Sequence, residues 1–221
     1  MFRDRTEAGK KLAILLKKFE DEKCIIYALP RGGVPVAYEV AVRLRKPLEA
    51  LIVKKIGTPG QEELALGAVA EGEPPTFYFN TELMVYLRLD EGMIRPVIDS
   101  KLREISEIQR IYRGEGSILV DNTAIAIIVD DGIATGATMK AAINFLRSVR
   151  QRKIVVAVPV AQSSTVSEIR KMVDEVICVD TVRTMYAVGE FFGDFSQVTH
   201  EEVLQLLMNV REQLKPRKPE A

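Results

Sequence analysis

The run Ala126-Ile127-Ile128-Val129-Asp130-Asp131-Gly132-Ile133-Ala134-Thr135-Gly136-Ala137-Thr138-Met139 constrains this chain more than any other stretch. An unbroken apolar run from Ile125 to Val129 suits a strand covered on both faces of a parallel sheet, and a helical period begins at Met139 and continues through Ala142, Ile143, Leu146 and Val149. The residues between them must therefore turn from strand into helix. Gly132 and Gly136 allow a tight turn in which successive amides and the positive end of the helix dipole converge on one anion, with the hydroxyls of Thr135 and Thr138 as further donors. A phosphate monoester fits such a cup. Asp130 and Asp131 would repel it unless they bind sugar hydroxyls or face a divalent cation, so the stretch points to a phosphorylated sugar rather than to bare phosphate.

Two other phosphate motifs are excluded: a Walker loop needs lysine where Ala137 stands, and the G-x-G-x-x-G of dinucleotide folds is absent. The apolar strand, acidic pair and Gly-x-x-Thr-Gly-x-Thr in register resemble the 5-phosphoribosyl-1-pyrophosphate (PRPP) motif of the type I phosphoribosyltransferases. That resemblance implies that Asp130 and Asp131 hold the ribose hydroxyls and a Mg²⁺ ion, while Gly132, Ala134, Thr135, Gly136, Ala137 and Thr138 grip the 5-phosphate. One aspartate could instead accept a proton from the incoming base; the sequence leaves both roles open.

A second strand–loop–helix unit precedes it. Cys24 to Leu29 reads as a buried strand running into Pro30-Arg31-Gly32-Gly33-Val34-Pro35, before a helix with Val36, Val40, Ala41 and Leu44 inward. The paired glycines let a ligand approach the backbone, and Arg31 offers a planar, permanently charged fork to phosphate oxygens. In the same family this is the pyrophosphate loop, made by Arg31, Gly32 and Gly33, with a non-proline cis bond into Arg31 or Gly32. Leu48 to Lys54 reads as the next strand. The polar, glycine-punctuated segment Lys54 to Glu63 reads as a mobile loop, followed by a strand from Ala65 to Ala70. By resemblance that loop closes over PRPP, and Lys54 or Lys55 neutralises the departing pyrophosphate, Lys55 being the closer match.

Residues 72–117 read as an insertion: a short Phe77-Tyr78-Phe79 strand, then helices, the long one with Ile94, Val97, Ile98, Leu102, Ile105, Ile108 and Tyr112 on one stripe and a solvated basic face of Lys101, Arg103, Arg110 and Arg113. A helix is expected from Thr6 to Glu20, strands at Lys153–Val160 and Glu175–Val179, and helices at Ser164–Val173 and Glu202–Leu214. This alternation gives an α/β fold: a central parallel sheet flanked by helices, Rossmann-like, of the type I phosphoribosyltransferase kind, with a helical insertion and a C-terminal hood. One domain over 1–214 and a tail at 215–221 are expected. The hood, 180–197, carries Tyr186, Val188 and Phe192, which by resemblance bind the acceptor base.

Resemblance extends along nearly the whole chain, through Asp4-Arg5, Ala8-Gly9, Leu66-Gly67-Ala68-Val69 and Ala187-Val188-Gly189, to phosphoribosyltransferase-like proteins of bacteria and archaea whose acceptor is unsettled. Compared with 6-oxopurine enzymes, no lysine stands in Val158-Pro159-Val160-Ala161-Gln162, and the hood aspartate falls one position late, at Asp194. The implied activity is Mg²⁺-dependent transfer of the 5-phosphoribosyl group from PRPP to a nitrogenous base, with loss of pyrophosphate. The alternative is a PRPP-binding regulator or sensor without catalysis.

Composition narrows the setting. Lys plus Arg and Asp plus Glu are equal at 31 each, so no global field recruits nucleic acid. No apolar run reaches the roughly 18 residues of a membrane span. A cytosolic protein, homodimeric by resemblance, is expected. Cys24 and Cys178 lack Cys-x-x-Cys or histidine neighbours and read as free core thiols. His200, the sole histidine, stands beside Glu201 and Glu202 and reads as a solvated surface residue.

Overall fold

The computed structural model describes residues 1–215, so all of the expected tail except Lys215 lies outside the described residues. Helix α1 spans Arg5–Leu15, with the Asp4 carboxylate accepting from the Glu7 amide at 2.7 Å as its N-cap. The longer expected helix stops there. A 3₁₀ turn at Lys17–Phe19 follows; Leu15, the last residue of α1, is exposed, while Leu12, Leu16 and Phe19 are buried.

Strand β1 (Cys24–Ala28), helix α2 (Gly33–Leu44) and strand β2 (Leu48–Ala50) follow in order. Next come strands β3 (Val53–Thr58), β4 (Gln61–Ala70) and β5 (Thr76–Phe79), then helices α3 (Thr81–Tyr86) and α4 (Glu91–Arg113). The remainder is β6 (Ile125–Val129), α5 (Ala137–Ser148), β7 (Lys153–Gln162), α6 (Ser163–Ile169), β8 (Glu175–Val182) and α7 (His200–Gln213).

Five strands form a parallel sheet in the order β2-β1-β6-β7-β8. One face packs on Leu12 of α1, Leu16 just after it, and Val36 and Val40 of α2, and the other on Met139, Ile143 and Leu146 of α5. Every residue of β1 and β6 is buried, as sheet strands covered on both sides require. From β1 the chain moves outward to β2, then returns to β6 on the opposite side of β1 and winds away through β7 and β8. The crevice outside the carboxyl ends of β1 and β6 is thus the switch point of the sheet, where ligands of open α/β folds bind. Ala28 pairs with Val129, so the loops leaving these two strands begin side by side.

The stretch from Leu48 to Lys54 is not one strand. The chain leaves the parallel sheet after Ala50, and β3 enters a separate antiparallel sheet, β3-β4-β5. The segment Lys54–Glu63, expected as an open loop, is largely a hairpin that turns at Pro59 and Gly60, with Gly60 at φ 77° and an irregular register at Gly57. Its polar residues lack helical period because they lie on a ribbon. β5 completes that same sheet.

At the break between the sheets, the Glu71 carboxylate accepts from the Ile52 amide at 2.7 Å, from Gln109 at 2.8 Å and from both terminal nitrogens of Arg113 at 2.7 and 2.6 Å. Arg113 also donates to the Ala50 carbonyl at 2.6 Å. Arg113 therefore does not belong to a solvated basic face: its side chain is 5% exposed and that of Glu71 1%. The helical stripe marks which face meets the core, and the last turn of α4 meets it with a charge. Arg103 and Arg110 are exposed as expected.

Candidate active site

The two loops at the switch point touch. A Cβ on Gly32 would fall on the Asp131 carboxylate, and one on Gly33 would lie 2.9 Å from both Asp130 Cα and the Val129 carbonyl oxygen. Only glycines permit this approach. The Pro30–Arg31 bond between strand and loop is cis, one of the two positions expected. Arg31, Gly32, Asp131 and Val188 line a cavity of about 500 Å³ together with Gln197 and Val198.

The acids are largely withdrawn from water. Asp130 Oδ1 accepts from the Asp131 amide at 2.9 Å, and Asp131 Oδ2 accepts from Arg5 Nε at 2.9 Å, in an ion pair whose side chains are 11% and 13% exposed. Arg5 also donates to the Ser196 carbonyl at 2.8 Å and lies 3.8 Å over the Phe195 ring. Burial, and then the neighbouring Asp131 charge, push the Asp130 carboxyl well above the usual carboxylate range. Burial acts on Asp131 in the same direction, while the Arg5 guanidinium opposes it. The pair is thus asymmetric: one acid holds its proton more tightly, and the other is tied to a cation. Sequence reasoning gave Arg5 no role, because it stands 126 positions from its partner.

Residues Gly132 to Thr138 form the expected turn. Ile133 is pinned to β7, its amide donating to Val160 and its carbonyl accepting from Gln162, both at 2.9 Å, and Thr165 Oγ1 donates to the Ala134 carbonyl at 2.6 Å. Gly136 caps α5 at φ 75° without any side-chain cap, which leaves the first-turn amides of Ala137, Thr138 and Met139 to an outside acceptor. Thr135 is exposed and Thr138 half-buried. Ala134, Thr135 and Ala137 edge a cavity of about 820 Å³ that Lys55 and Lys140 also line. Lys140, which the sequence reading passed over, is buried, donating to Glu168 at 2.6 Å and to the Tyr78 hydroxyl at 3.1 Å.

Of the two lysines, Lys54 is paired with Glu104 of α4 at 3.3 Å, whereas Lys55 is exposed and makes no ion pair among the described residues. In the hood, Tyr186 is 87% exposed and Val188 touches the turn after β6: a Cβ on Gly132 would lie 2.5 Å from Val188 Cγ1. Phe192 departs from the expectation of a base-stacking ring. It is 6% exposed, packed 5.4 Å from Phe2 and 5.1 Å from Phe195, because Phe2 and Arg3 pair with the hood backbone through hydrogen bonds from Phe2 to Phe191, Gly193 to Phe2 and Asp194 to Arg3. His200 likewise is not freely solvated; Tyr112 Oη lies 2.7 Å from its Nδ1. Cys24 and Cys178 are free thiols, the second only half-buried. A further cavity of about 470 Å³ behind the hood, edged by Glu39 and Glu202, includes none of the expected site residues.

The donor set fits a hard divalent cation. Asp130 and Asp131 bring two carboxylates side by side at the mouth of β6, and carboxylate oxygens suit Mg²⁺. No group of three or more His, Cys, Asp or Glu side chains able to hold a metal occurs among the described residues, so such an ion would take most ligands from water and substrate. Among the described residues, no helix is long and apolar enough to cross a membrane.

Comparison with known proteins agrees with this geometry. Residues 6–192 match the family model described as a phosphoribosyl transferase domain. Two Mycobacterium tuberculosis proteins, from strains CDC 1551 / Oshkosh and ATCC 25618 / H37Rv and provisionally named phosphoribosyl transferases, are each 39% identical over 208 residues, covering 94% of this chain and 46% of theirs. The chain thus spans about half the length of these curated relatives. The crystal structure of TT1426 from Thermus thermophilus is 35% identical with a TM-score of 0.76, covering 95% of this chain and 98% of that one.

Proposed function

This chain belongs to the phosphoribosyl transferase domain family, and from that premise we propose that it transfers the 5-phosphoribosyl group of PRPP to a nitrogenous base, a nucleobase by class, releasing pyrophosphate. The observation that carries the reading is the meeting of Gly32 and Gly33 with Asp130 and Asp131, beside a cavity that Arg31 and Val188 both line. A donor with phosphate at both ends of a sugar needs two anion-binding loops flanking hydroxyl acceptors, and the two glycine turns flanking the acidic pair support that reading.

In the proposed reaction the uncapped amides of α5 and the hydroxyls of Thr135 and Thr138 hold the 5-phosphate, and that binding energy positions the ribose. Asp131, oriented by Arg5, accepts hydrogen bonds from the ribose hydroxyls. Asp130, whose carboxyl burial pushes upward and so makes more basic, is the acid we assign to accept a proton from the base. Arg31 and the adjoining loop amides, with Lys55 reaching from the hairpin, stabilise the negative charge that develops on the leaving pyrophosphate. Mg²⁺, held by Asp130 and Asp131, would add charge stabilisation at the phosphate and ribose oxygens. Tyr186, exposed on the hood, is the aromatic ring proposed to stack on the base, with Val188 beside it. We place the reaction in the cytosol and expect a homodimer.

The test is turnover with PRPP, Mg²⁺ and a panel of nucleobases, following pyrophosphate. Release that depends on one base supports transfer. Tight PRPP binding without release would make the protein a sensor, and base-independent breakdown a hydrolase; failure to bind PRPP at all would overturn the reading.

A further inference from the structure

Arg5 is the first residue of α1, a place where the helix dipole disfavours a cation, so its side chain is held by partners outside its own helix. Nε donates to Asp131 Oδ2 at 2.9 Å, Nη1 donates to the Ser196 carbonyl at 2.8 Å, and the guanidinium carbon lies 3.8 Å over the Phe195 ring. These bonds account for two of the five N–H groups a guanidinium carries. Nη2 adjoins the loop after β1: a Cβ on Gly32 would lie 3.3 Å from it. Arg5 also lines the cavity of about 500 Å³ that Arg31, Gly32 and Asp131 line, and the charged residues of that lining are two arginines and one aspartate. With Asp131 paired to Arg5, the cavity keeps an excess positive charge and favours an anion.

We propose that Arg5 is a second guanidinium of the pyrophosphate pocket, donating through Nη2 to a pyrophosphate oxygen held between it and Arg31. This rests on the phosphoribosyl transfer proposed above, and adds to it a substrate contact besides the hold on Asp131. One planar group then serves both sides of the bond that breaks. Its Nε–H fixes the acid assigned to the ribose, and its Nη2 meets the group that departs, so the spacing between sugar and leaving group is set by the width of a guanidinium. Gly32 makes this possible, because any larger residue would stand between the loop backbone and the Arg5–Asp131 pair. The side chain is 11% exposed and is already fixed by Ser196 and Phe195, so little rotamer freedom remains to be lost when the anion binds. Both of those residues belong to segment 180–197, which thus holds a pyrophosphate contact in place as well as facing the base.

The experiment is calorimetry with inorganic pyrophosphate and, separately, with ribose 5-phosphate, in an Asp131→Asn background. That change removes the carboxylate charge, so a further loss on replacing Arg5 cannot come from exposing an unpaired acid to the anion. In this background Arg5→Gln should weaken pyrophosphate binding by about 10- to 100-fold, the scale of a lost hydrogen bond between charged groups, and leave ribose 5-phosphate binding within about twofold. Pyrophosphate affinity unmoved by Arg5→Gln, or a loss shared equally by both ligands, makes Arg5 a strut between α1 and the hood and overturns the proposal. A crystal structure of the unsubstituted protein with pyrophosphate needs no variant: an oxygen about 3 Å from Arg5 Nη2 is expected, and an anion seated against Arg31 out of reach of Arg5 overturns the proposal. Each of these refutations leaves the transferase reading standing. An unsubstituted protein that binds neither pyrophosphate nor PRPP overturns both.

Discussion

Replacing Arg113 with methionine tests the junction between the two sheets. The substitution keeps an unbranched stem of similar reach but removes the guanidinium, so the Glu71 carboxylate, 1% exposed, retains only the Ile52 amide and Gln109 as donors and the Ala50 carbonyl loses its partner. Leaving one member of a buried pair uncompensated costs about 3–5 kcal/mol. For a domain of this size that lowers the thermal midpoint by about 6–20 °C, and it removes a large share of a total stability of about 5–15 kcal/mol. Urea unfolding followed by circular dichroism measures the loss without adding salt. The double variant Glu71→Leu with Arg113→Met strands no charge and should recover more than half of it, the coupling between the two positions being read from the cycle. If Arg113→Met alone falls within about 1 kcal/mol of the parent, the value for exposed ion pairs, the pair does not join the sheets energetically and the reasoning fails.

Further outcomes follow from the site itself. Gly33→Ala drives a methyl against backbone atoms at 2.9 Å that cannot rotate away; an overpacking cost of about 1–3 kcal/mol, felt as a displaced loop, should weaken pyrophosphate binding by about tenfold or more in calorimetry. Gly132→Ala meets Val188 at 2.5 Å and should raise the KM for the base; adding Val188→Ala should restore it, and a KM for the base unmoved by either change would remove Val188 from the acceptor side. Asp130→Asn should raise the thermal midpoint at pH 7 while abolishing PRPP-dependent stabilisation. The sign follows from an upward-shifted carboxyl: its contribution is fully present below the unfolded value of about 3.9 and is lost as pH rises through the folded one, so a side chain that cannot ionise keeps it at neutral pH. A midpoint that falls at pH 7 would mean the Asp130 charge is better solvated than its surroundings imply.

Much of the fold was legible from periodicity alone. Strands β1 and β6 stand out because burial on both faces leaves no polar residue between Cys24 and Ala28 or between Ile125 and Val129, and the turns after them stand out because glycine is what a close approach demands. The hairpin of β3 and β4 was hidden: its outer half is polar, and an apolar alternation that would mark a ribbon is broken by the register shift at Gly57. Charges that act across long separations left no local sign. Arg113 lies on the polar side of a helix by sequence and under a sheet in space, Arg5 finds Asp131 only after folding, and His200 meets Tyr112 from another helix. Phe192 was read for its chemistry, and the bridge from Phe2 that buries it has no signature in the residues around either.

Helix α5 bears the small sheet along its length: Lys140 holds Tyr78, Asn144 donates to the Phe77 carbonyl at 2.8 Å, and Gly72 lies against Phe145. Lys55 is thus mounted on the same beam whose leading end is the proposed 5-phosphate site, and its position does not depend on the hairpin tip. That tip, where a side chain on Gly60 would meet nothing within 4 Å, is free to drift in sequence or be rebuilt by an engineer without changing where the lysine stands.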